Sequence, residues 1–548
     1  MTEQNNNQQP EWNEPTPRTR KKGKGPIIAL VALLIVAAIG IGAYASGIFG
    51  GKGSEKDQVA EALSSVLKGE ENPFMEDWLG TTKLSENMMK ASKMSGRLEL
   101  VEMPVVTAMT GFPVPGGITL SFETNQDIKA KASSGSMGLG LMGTNIVNGK
   151  LYMKDTVLQV AAPSLFEEVL TADLSGDLEA KLNNAPLFKD QLDNDEAADA
   201  IRQMSEALKD SGEQQEKLMK LMTGQTKLSD YPGFSKHFKT LKEKWVIEEV
   251  DEKTQVWNGK EDSFKGYHVT MPKDAFIEYF RNMKTYFMTD EKVQADILDM
   301  VLGQVAAQEE ITREEAKKEL DEKLTEEIEN LETNPNIKDM VFVIHMTDDN
   351  EMVSFATDYT TPKAAMKLNF ERFGGAYPDE NMKLNVSVSG EESGSMEMIS
   401  TGKTEENSQV RDIVISVKEA DQAAMEQKIA LTVNKETGLF TVKIDGTVLE
   451  EDQPNQMQMT INGKLQDIVK GKSGQMVMDE MKLMMAGEPM MTLKGELSYD
   501  TENITVSELE GEKLDIMTAT PEDMETVMEQ IQEKLGLLLQ LIDFPLGA

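Results

Sequence analysis

The residues most often used as metal ligands and general bases are scarce in this chain. It contains three histidines, His237, His268 and His345, and no cysteine. His268 and His345 fall in predicted strands, and none of the three has the HxxxH spacing of paired zinc ligands. The lack of cysteine excludes disulfides, thiolate metal sites and a cysteine nucleophile. We therefore predict structural or surface histidines and no metal site.

Acidic residues are abundant, but their spacing does not indicate catalysis. The run Asp348-Asp349-Asn350-Glu351 could contact calcium. It lacks the glycine and the spaced ligands of a calcium loop, so a hairpin turn explains it more simply. We find no GxSxG, P-loop, HExxH or SxxK constellation. The sequence thus predicts no catalytic residue and no cofactor, and that the protein is not an enzyme.

One apolar stretch, Ile27 to Phe49, could cross a membrane. As a helix it would reach about 34 Å, enough for a hydrocarbon core of about 30 Å. Basic residues precede it, namely Arg18, Arg20, Lys21, Lys22 and Lys24, so the positive-inside rule predicts a cytoplasmic N-terminus. Ala43-Tyr44-Ala45 also fits a signal-peptidase site, which leaves cleavage after Ala45 as the alternative to a retained anchor. A retained anchor makes the lipid bilayer a partner through Ile27 to Phe49, and in either case the bulk of the chain is expected to be exported.

Composition limits the other partners. The 548 residues carry a net charge of −38 at pH 7. Such a surface repels nucleic acid, so no nucleic-acid partner is expected. The chain has 37 methionines and only 6% aromatic residues. Methionine fills irregular apolar space, so this excess is a weak indication of an adaptable pocket.

Hydropathy patterning predicts an α+β fold, in which an N-terminal transmembrane helix is followed by long, curved antiparallel meander sheets with packing helices. Strict alternation, as in Met382, Leu384, Val386 and Val388, is typical of half-buried strands. Asn148-Gly149 and Asn462-Gly463 predict hairpin turns.

These patterns divide the chain into six segments, and the last helix is expected to plug the curved sheet. The predicted segments are a disordered cytoplasmic tail (1–25), a transmembrane helix (26–49), a juxtamembrane linker with a short helix (50–94), a mixed strand and helix region (95–335), a β-meander (336–517) and an amphipathic helix (518–548). Whether the exported part forms one domain or two stays open.

Three stretches carry a resemblance to known proteins: RKKGKGPIIALVALLIV (20–36), SGIFGGK (46–52) and GYHVTMPKDAFIEYF (266–280). With them the chain resembles uncharacterised single-span surface proteins of Gram-positive bacteria. Its sheet-and-helix layout also looks like the LolA and LppX class of lipid and lipoprotein carriers. The first resemblance implies a single-pass cell-membrane protein with an extracellular C-terminal region. The second implies an apolar cavity under a curved sheet.

Three functional hypotheses follow. The first is a membrane-anchored extracellular protein without catalytic activity that binds or scaffolds an unknown protein, cell-wall or lipid partner of the cell envelope. The alternative is a lipid or lipoprotein carrier. The third, a hydrolase, needs a cleft with converging polar residues, which the sequence does not show.

Overall fold

The computed structural model describes residues 54–68, 72–105, 107, 116–176, 178–187, 231–257, 259–298, 302, 312–335, 337–360, 364–390, 393–419, 422–450 and 453–543. The stretch Ile27 to Phe49 lies outside these residues. Within them, no helix is both long and apolar enough to cross a membrane.

The described residues form twenty strands and nine α-helices. The strands are β1 Ala91–Glu102, β2 Ile118–Asp127, β3 Ala132–Leu141, β4 Thr144–Lys154, β5 Val157–Ala161, β6 Val169–Asp173, β7 Val246–Trp257, β8 Lys260–Met271, β9 Met340–Met346, β10 Met352–Thr360, β11 Ala364–Arg372, β12 Met382–Gly390, β13 Gly394–Thr404, β14 Ser408–Glu419, β15 Gln422–Asn434, β16 Leu439–Glu450, β17 Gln453–Val469, β18 Ser473–Met485, β19 Glu488–Asp500 and β20 Lys513–Asp515. The helices are α1 Glu55–Lys68, α2 Pro73–Leu79, α3 Thr81–Met88, α4 Leu178–Asn184, α5 Pro232–Lys244, α6 Lys273–Thr289, α7 Glu291–Val293, α8 Arg313–Thr333 and α9 Pro521–Asp543, with a π-helical turn at Gln294–Leu298.

All twenty strands belong to one sheet. Strands β7 to β19 form a continuous meander, each antiparallel to the next. Strand β19 then pairs with β1, from which the antiparallel meander continues to β6. The short β20 pairs in parallel with β6. In the described part, β7 and β20 are therefore the two edges.

Alternation along the strands gives the sheet two chemically different faces, because directly paired residues share a face. One row of paired residues on the first face is Ile413, Ile429, Ile444, Met459, Leu483 and Met491. A neighbouring row is Leu431, Val442, Ile461, Met481, Leu493, Leu100, Ile118 and Leu141. We call the face that carries these rows the apolar face, and the opposite one the polar face.

The main hydrophobic core lies at one end of the strand order, where α1, α5 and α6 pack against β8, β9 and β10. Phe238, Trp245 and Phe276 are almost fully buried there, together with Val269 and Ile344 from the strands. Trp245 contacts both Phe238 and Phe342 edge-on, at centroid distances of 5.7 and 6.0 Å. Val269 and Ile344 lie on the apolar face of the sheet. The main core is therefore the part of the apolar face that α1, α5 and α6 cover.

A second, smaller cover is supplied by α2. Its Phe74 packs against Val433 and Phe440, with Trp78 beside them. The helix begins at Asn72, whose side-chain oxygen accepts hydrogen bonds from the amides of Phe74 and Met75, and Pro73 occupies the first helical position. It therefore closes one end of the central strands of the apolar face.

The predicted α+β class is wrong in its architecture. The regions predicted as 95–335 and 336–517 contribute strands to one sheet, because β1 pairs with β19 and β8 pairs with β9. Pairing between strands some 400 residues apart leaves no local pattern in the sequence, so alternation alone could not reveal it. The boundaries of the six predicted segments stay predictions.

The C-terminal helix does not plug the sheet. In α9, Gln530 contacts Glu167 and Glu168 in the segment before β6, near the β20 edge. Val527 is buried, but Met528 and Leu535 are largely exposed. In its described part the helix thus packs through few residues. Thr520 and Asp523 exchange hydrogen bonds across its start at Pro521.

Candidate functional site

Beyond its helical core, the apolar face continues over β11 to β19 and β1 to β6. Most of its side chains there are half-buried rather than buried. Eight large apolar side chains on it are exposed: Leu120, Met137, Leu139, Leu151, Met153, Met396, Met457 and Met485. Within the described residues, the helix cover that reaches this region is mainly that of α2.

The size of this surface is unusual for a water-soluble face. Fifteen strands about 4.8 Å apart span about 70 Å, and the apolar rows on each strand cover at least about 13 Å along it, which gives a footprint near 1,000 Å², over which most side chains are half-buried. The largest apolar patch of a typical soluble monomer is about 300–600 Å². Surfaces above that size mark contact with another apolar body.

The polar face carries ion pairs between and along its strands. Lys494 pairs with Glu99 at 3.0 Å and Lys367 with Asp358 at 3.1 Å, each across one strand pair. Lys383 and Glu397 pair diagonally at 2.7 Å. These pairs are half-exposed and contribute little to stability. Their consequence is that this face stays in water.

A polar cluster closes the apolar face beside α2; it consists of Arg372, Tyr377, Asp379, Glu380 and Arg411. The Arg372 guanidinium is 1% exposed, and its Nε lies 2.8 Å from an oxygen of Asp379. Arg411 Nη2 donates to the Asp379 carbonyl at 3.1 Å. Burial raises the pKa of Tyr377. The charges compensate one another, so the cluster is suited to fixing the loop between β11 and β12.

The three histidines lie on one helix and two strands. His345 Nδ1 lies 3.0 Å from Ser354 Oγ, and its ring covers Gly266. Burial lowers the pKa of His345. His268 lies 4.0 Å from Glu248 on the surface, and His237 lies in a small cleft between α5 and α6, where burial lowers its pKa. His237 is on α5, whereas His268 and His345 lie on the paired strands β8 and β9, two register positions apart.

The acidic run Asp348 to Glu351 forms the turn between β9 and β10, as predicted for a hairpin. Asp348 pairs with Lys265 at 3.2 Å, and Asn350 donates to Glu61. No cluster of three acidic or histidine side chains in the described ranges could hold a metal ion. The apolar face itself was not predicted as an exposed surface, although the alternation and the methionines that build it are visible in the sequence.

Neither a protein-family model nor a curated protein matches the chain. Among solved structures, it is similar to OprB of Pseudomonas putida at low pH, with 5% identity, covering 79% of this chain and 99% of that one, at a TM-score of 0.22. OccAB4 of Acinetobacter baumannii matches with 6% identity over 75% and 97% of the two chains, at a TM-score of 0.20. OccK1 of Pseudomonas aeruginosa matches with 6% identity over 75% of this chain and 97% of that one, at a TM-score of 0.18.

These comparisons correct several predictions. The structures found are outer-membrane porins of Gram-negative bacteria, not single-span proteins of Gram-positive bacteria or LolA and LppX carriers. The predicted envelope scaffold, the alternative lipid carrier and the single-pass cell-membrane localisation are wrong on the same finding. That the protein is not an enzyme stays a prediction. At such TM-scores the likeness carries no activity or ligand over to this chain.

Proposed function

We propose that the protein is a non-catalytic membrane protein that presents the apolar face of its sheet to the acyl chains of a lipid bilayer. The observation that carries this proposal is the one-sidedness of the sheet. Exposed methionine and leucine side chains lie on one face from β13 to β4, while lysine–glutamate pairs occupy the other.

Lipid is the predicted partner that this face fits best. Acyl chains offer a continuous apolar phase, which matches the long rows of methionine, leucine, isoleucine and valine on this face. A protein partner of the same area would be expected to meet anchoring polar groups as well.

The net charge of −38 makes electrostatic attraction to anionic head groups unfavourable. Binding through the apolar face should therefore be as strong on zwitterionic phosphatidylcholine vesicles as on vesicles with anionic lipid. Added salt should not release the protein, because hydrophobic contact is not screened.

The absence of cysteine allows a direct test on the full chain. Met396 on the apolar face and Val410 on the polar face lie on neighbouring strands and are each 38% exposed. Each would be replaced by cysteine, labelled with the same fluorophore, and mixed with phosphatidylcholine vesicles whose acyl chains carry bromine. We expect quenching of the label at position 396 and not at position 410.

Equal quenching, or none at either position, would reject the apolar face as the lipid contact. The matched substitutions Met396→Glu and Val410→Glu provide a second readout. The first should weaken vesicle binding by tenfold or more, equivalent to about 1.4 kcal/mol, since it places a carboxylate against acyl chains. The second should leave binding unchanged.

A further inference from the structure

Methionine is concentrated on the exposed part of the apolar face. Met137, Met153, Met396, Met457 and Met485 make up five of its eight exposed large apolar side chains, with exposed fractions from 37 to 61%. On the polar face, by contrast, the exposed large apolar side chains of the described strands are valine and leucine, as at Val157, Val246, Val410 and Leu439.

We propose that oxidation of these five methionines lowers the affinity of the apolar face for acyl chains and thereby releases the protein from lipid. The proposal rests on the proposed function, because it concerns regulation of the same surface. The oxidant is a hydroperoxide such as hydrogen peroxide, which is small enough to reach half-exposed thioethers.

The chemistry is balanced and local. The thioether sulfur attacks one peroxide oxygen, the O–O bond breaks, and an S–O bond forms. The remaining oxygen leaves as water, so the sulfur is oxidised by two electrons and the peroxide is reduced. The sulfoxide is polar and accepts hydrogen bonds from water, so returning it to an acyl-chain environment costs free energy.

The fold itself is protected from the same reaction. The core methionines Met271, Met340, Met346 and Met352 are at most 7% exposed. Their thioethers lie between the helices and β8 to β10, out of reach of a solvent oxidant. Mild oxidation should therefore change the surface of the sheet and leave its core packed.

The test uses the full chain before and after mild treatment with hydrogen peroxide. Peptide mass spectrometry locates the sulfoxides, circular dichroism monitors the fold, and binding to phosphatidylcholine vesicles is the readout. The control variant replaces Met137, Met153, Met396, Met457 and Met485 with leucine, a change of similar volume that peroxide cannot oxidise.

We expect treated wild-type protein to lose at least tenfold in vesicle affinity, the leucine variant to change by less than twofold, and methionine sulfoxide reductase to restore wild-type binding. Unchanged binding despite sulfoxides at the five positions overturns the switch, and so does their failure to oxidise. An equal loss in the leucine variant also overturns it, because the effect would then arise elsewhere. Failure of the untreated protein to bind vesicles would instead reject the proposed function.

Discussion

Lys242 illustrates how single residues hold the helical layer together. Its side chain is 8% exposed and is paired with Asp57 at the start of α1. The hydrogen bond from Lys242 is the main reason that the pKa of Asp57 lies below its usual value. Replacing Asp57 with asparagine removes the carboxylate charge that faces this buried ammonium, so we expect a loss of about 1–3 kcal/mol in the free energy of unfolding, measured by urea denaturation.

The matched control is Asp348→Asn. It removes the partner of Lys265 in a pair whose side chains are 62% and 90% exposed. Exposed pairs contribute about 0–1 kcal/mol, so this substitution should change stability much less. Equal effects of the two substitutions would contradict the importance assigned to burial.

His345 gives the protein a predictable response to acid. Burial is the main cause that lowers its pKa from the usual 6.5, so the unfolded chain binds a proton at a pH where the folded one does not. This contribution to stability is fully present above pH 6.5 and is lost as the pH falls toward the lower folded-state pKa. We expect urea midpoints to fall between pH 7.5 and pH 5.5, and to fall less in His345→Gln. An identical pH dependence in that variant would show that other groups are responsible.

At the scale of elements, α2 depends on Asn72 for two contacts. The Asn72 side chain caps the helix, and it exchanges hydrogen bonds with Gln409 at 2.8 and 3.2 Å. We expect Asn72→Ala to cost about 1–2 kcal/mol, because it removes the cap and leaves the buried Gln409 amide without this partner. Asn72→Asp keeps a capping oxygen and should cost less. Thermal unfolding of the two variants measures the difference, and the reverse order would contradict the cap.

Local signals in the sequence mark helix starts better than hairpin turns. Thr312 and Glu315 form a capping box that begins α8. The predicted hairpin turns Asn148-Gly149 and Asn462-Gly463, however, lie inside β4 and β17. The chain turns instead between β3 and β4 at Met142 and Gly143, whose φ angles are 51° and 82°. A type I′ turn needs two such positive angles. The pairing of β3 with β4 imposed them on a methionine, against its local preference.

The whole molecule depends on contacts that no local pattern encodes. The N-terminal and C-terminal meanders join only through β1 and β19 among the described strands, where Leu100 pairs with Leu493. We call this strand pair the seam. The apolar face becomes continuous there, since the row of apolar residues passes through both strands. Sequence reasoning could therefore predict an apolar side for each strand, but not a single surface across fifteen of them.

Gly495 is the position where the seam can be tested. A Cβ at Gly495 would lie 2.4 Å from the Arg97 carbonyl oxygen and 2.9 Å from Leu98, so Gly495→Ala must push β1 and β19 apart. We expect a loss of about 1–3 kcal/mol in stability and faster amide exchange in β1 and β19.

Gly446 is the control, because a Cβ there would meet its nearest neighbour, the Met457 carbonyl oxygen, at 3.8 Å. Gly446→Ala should leave stability unchanged or slightly higher, because glycine is a poor strand residue. If both substitutions left exchange at the seam unchanged, the two meanders would not be held together by this strand pair, and the apolar face would not be one surface in solution.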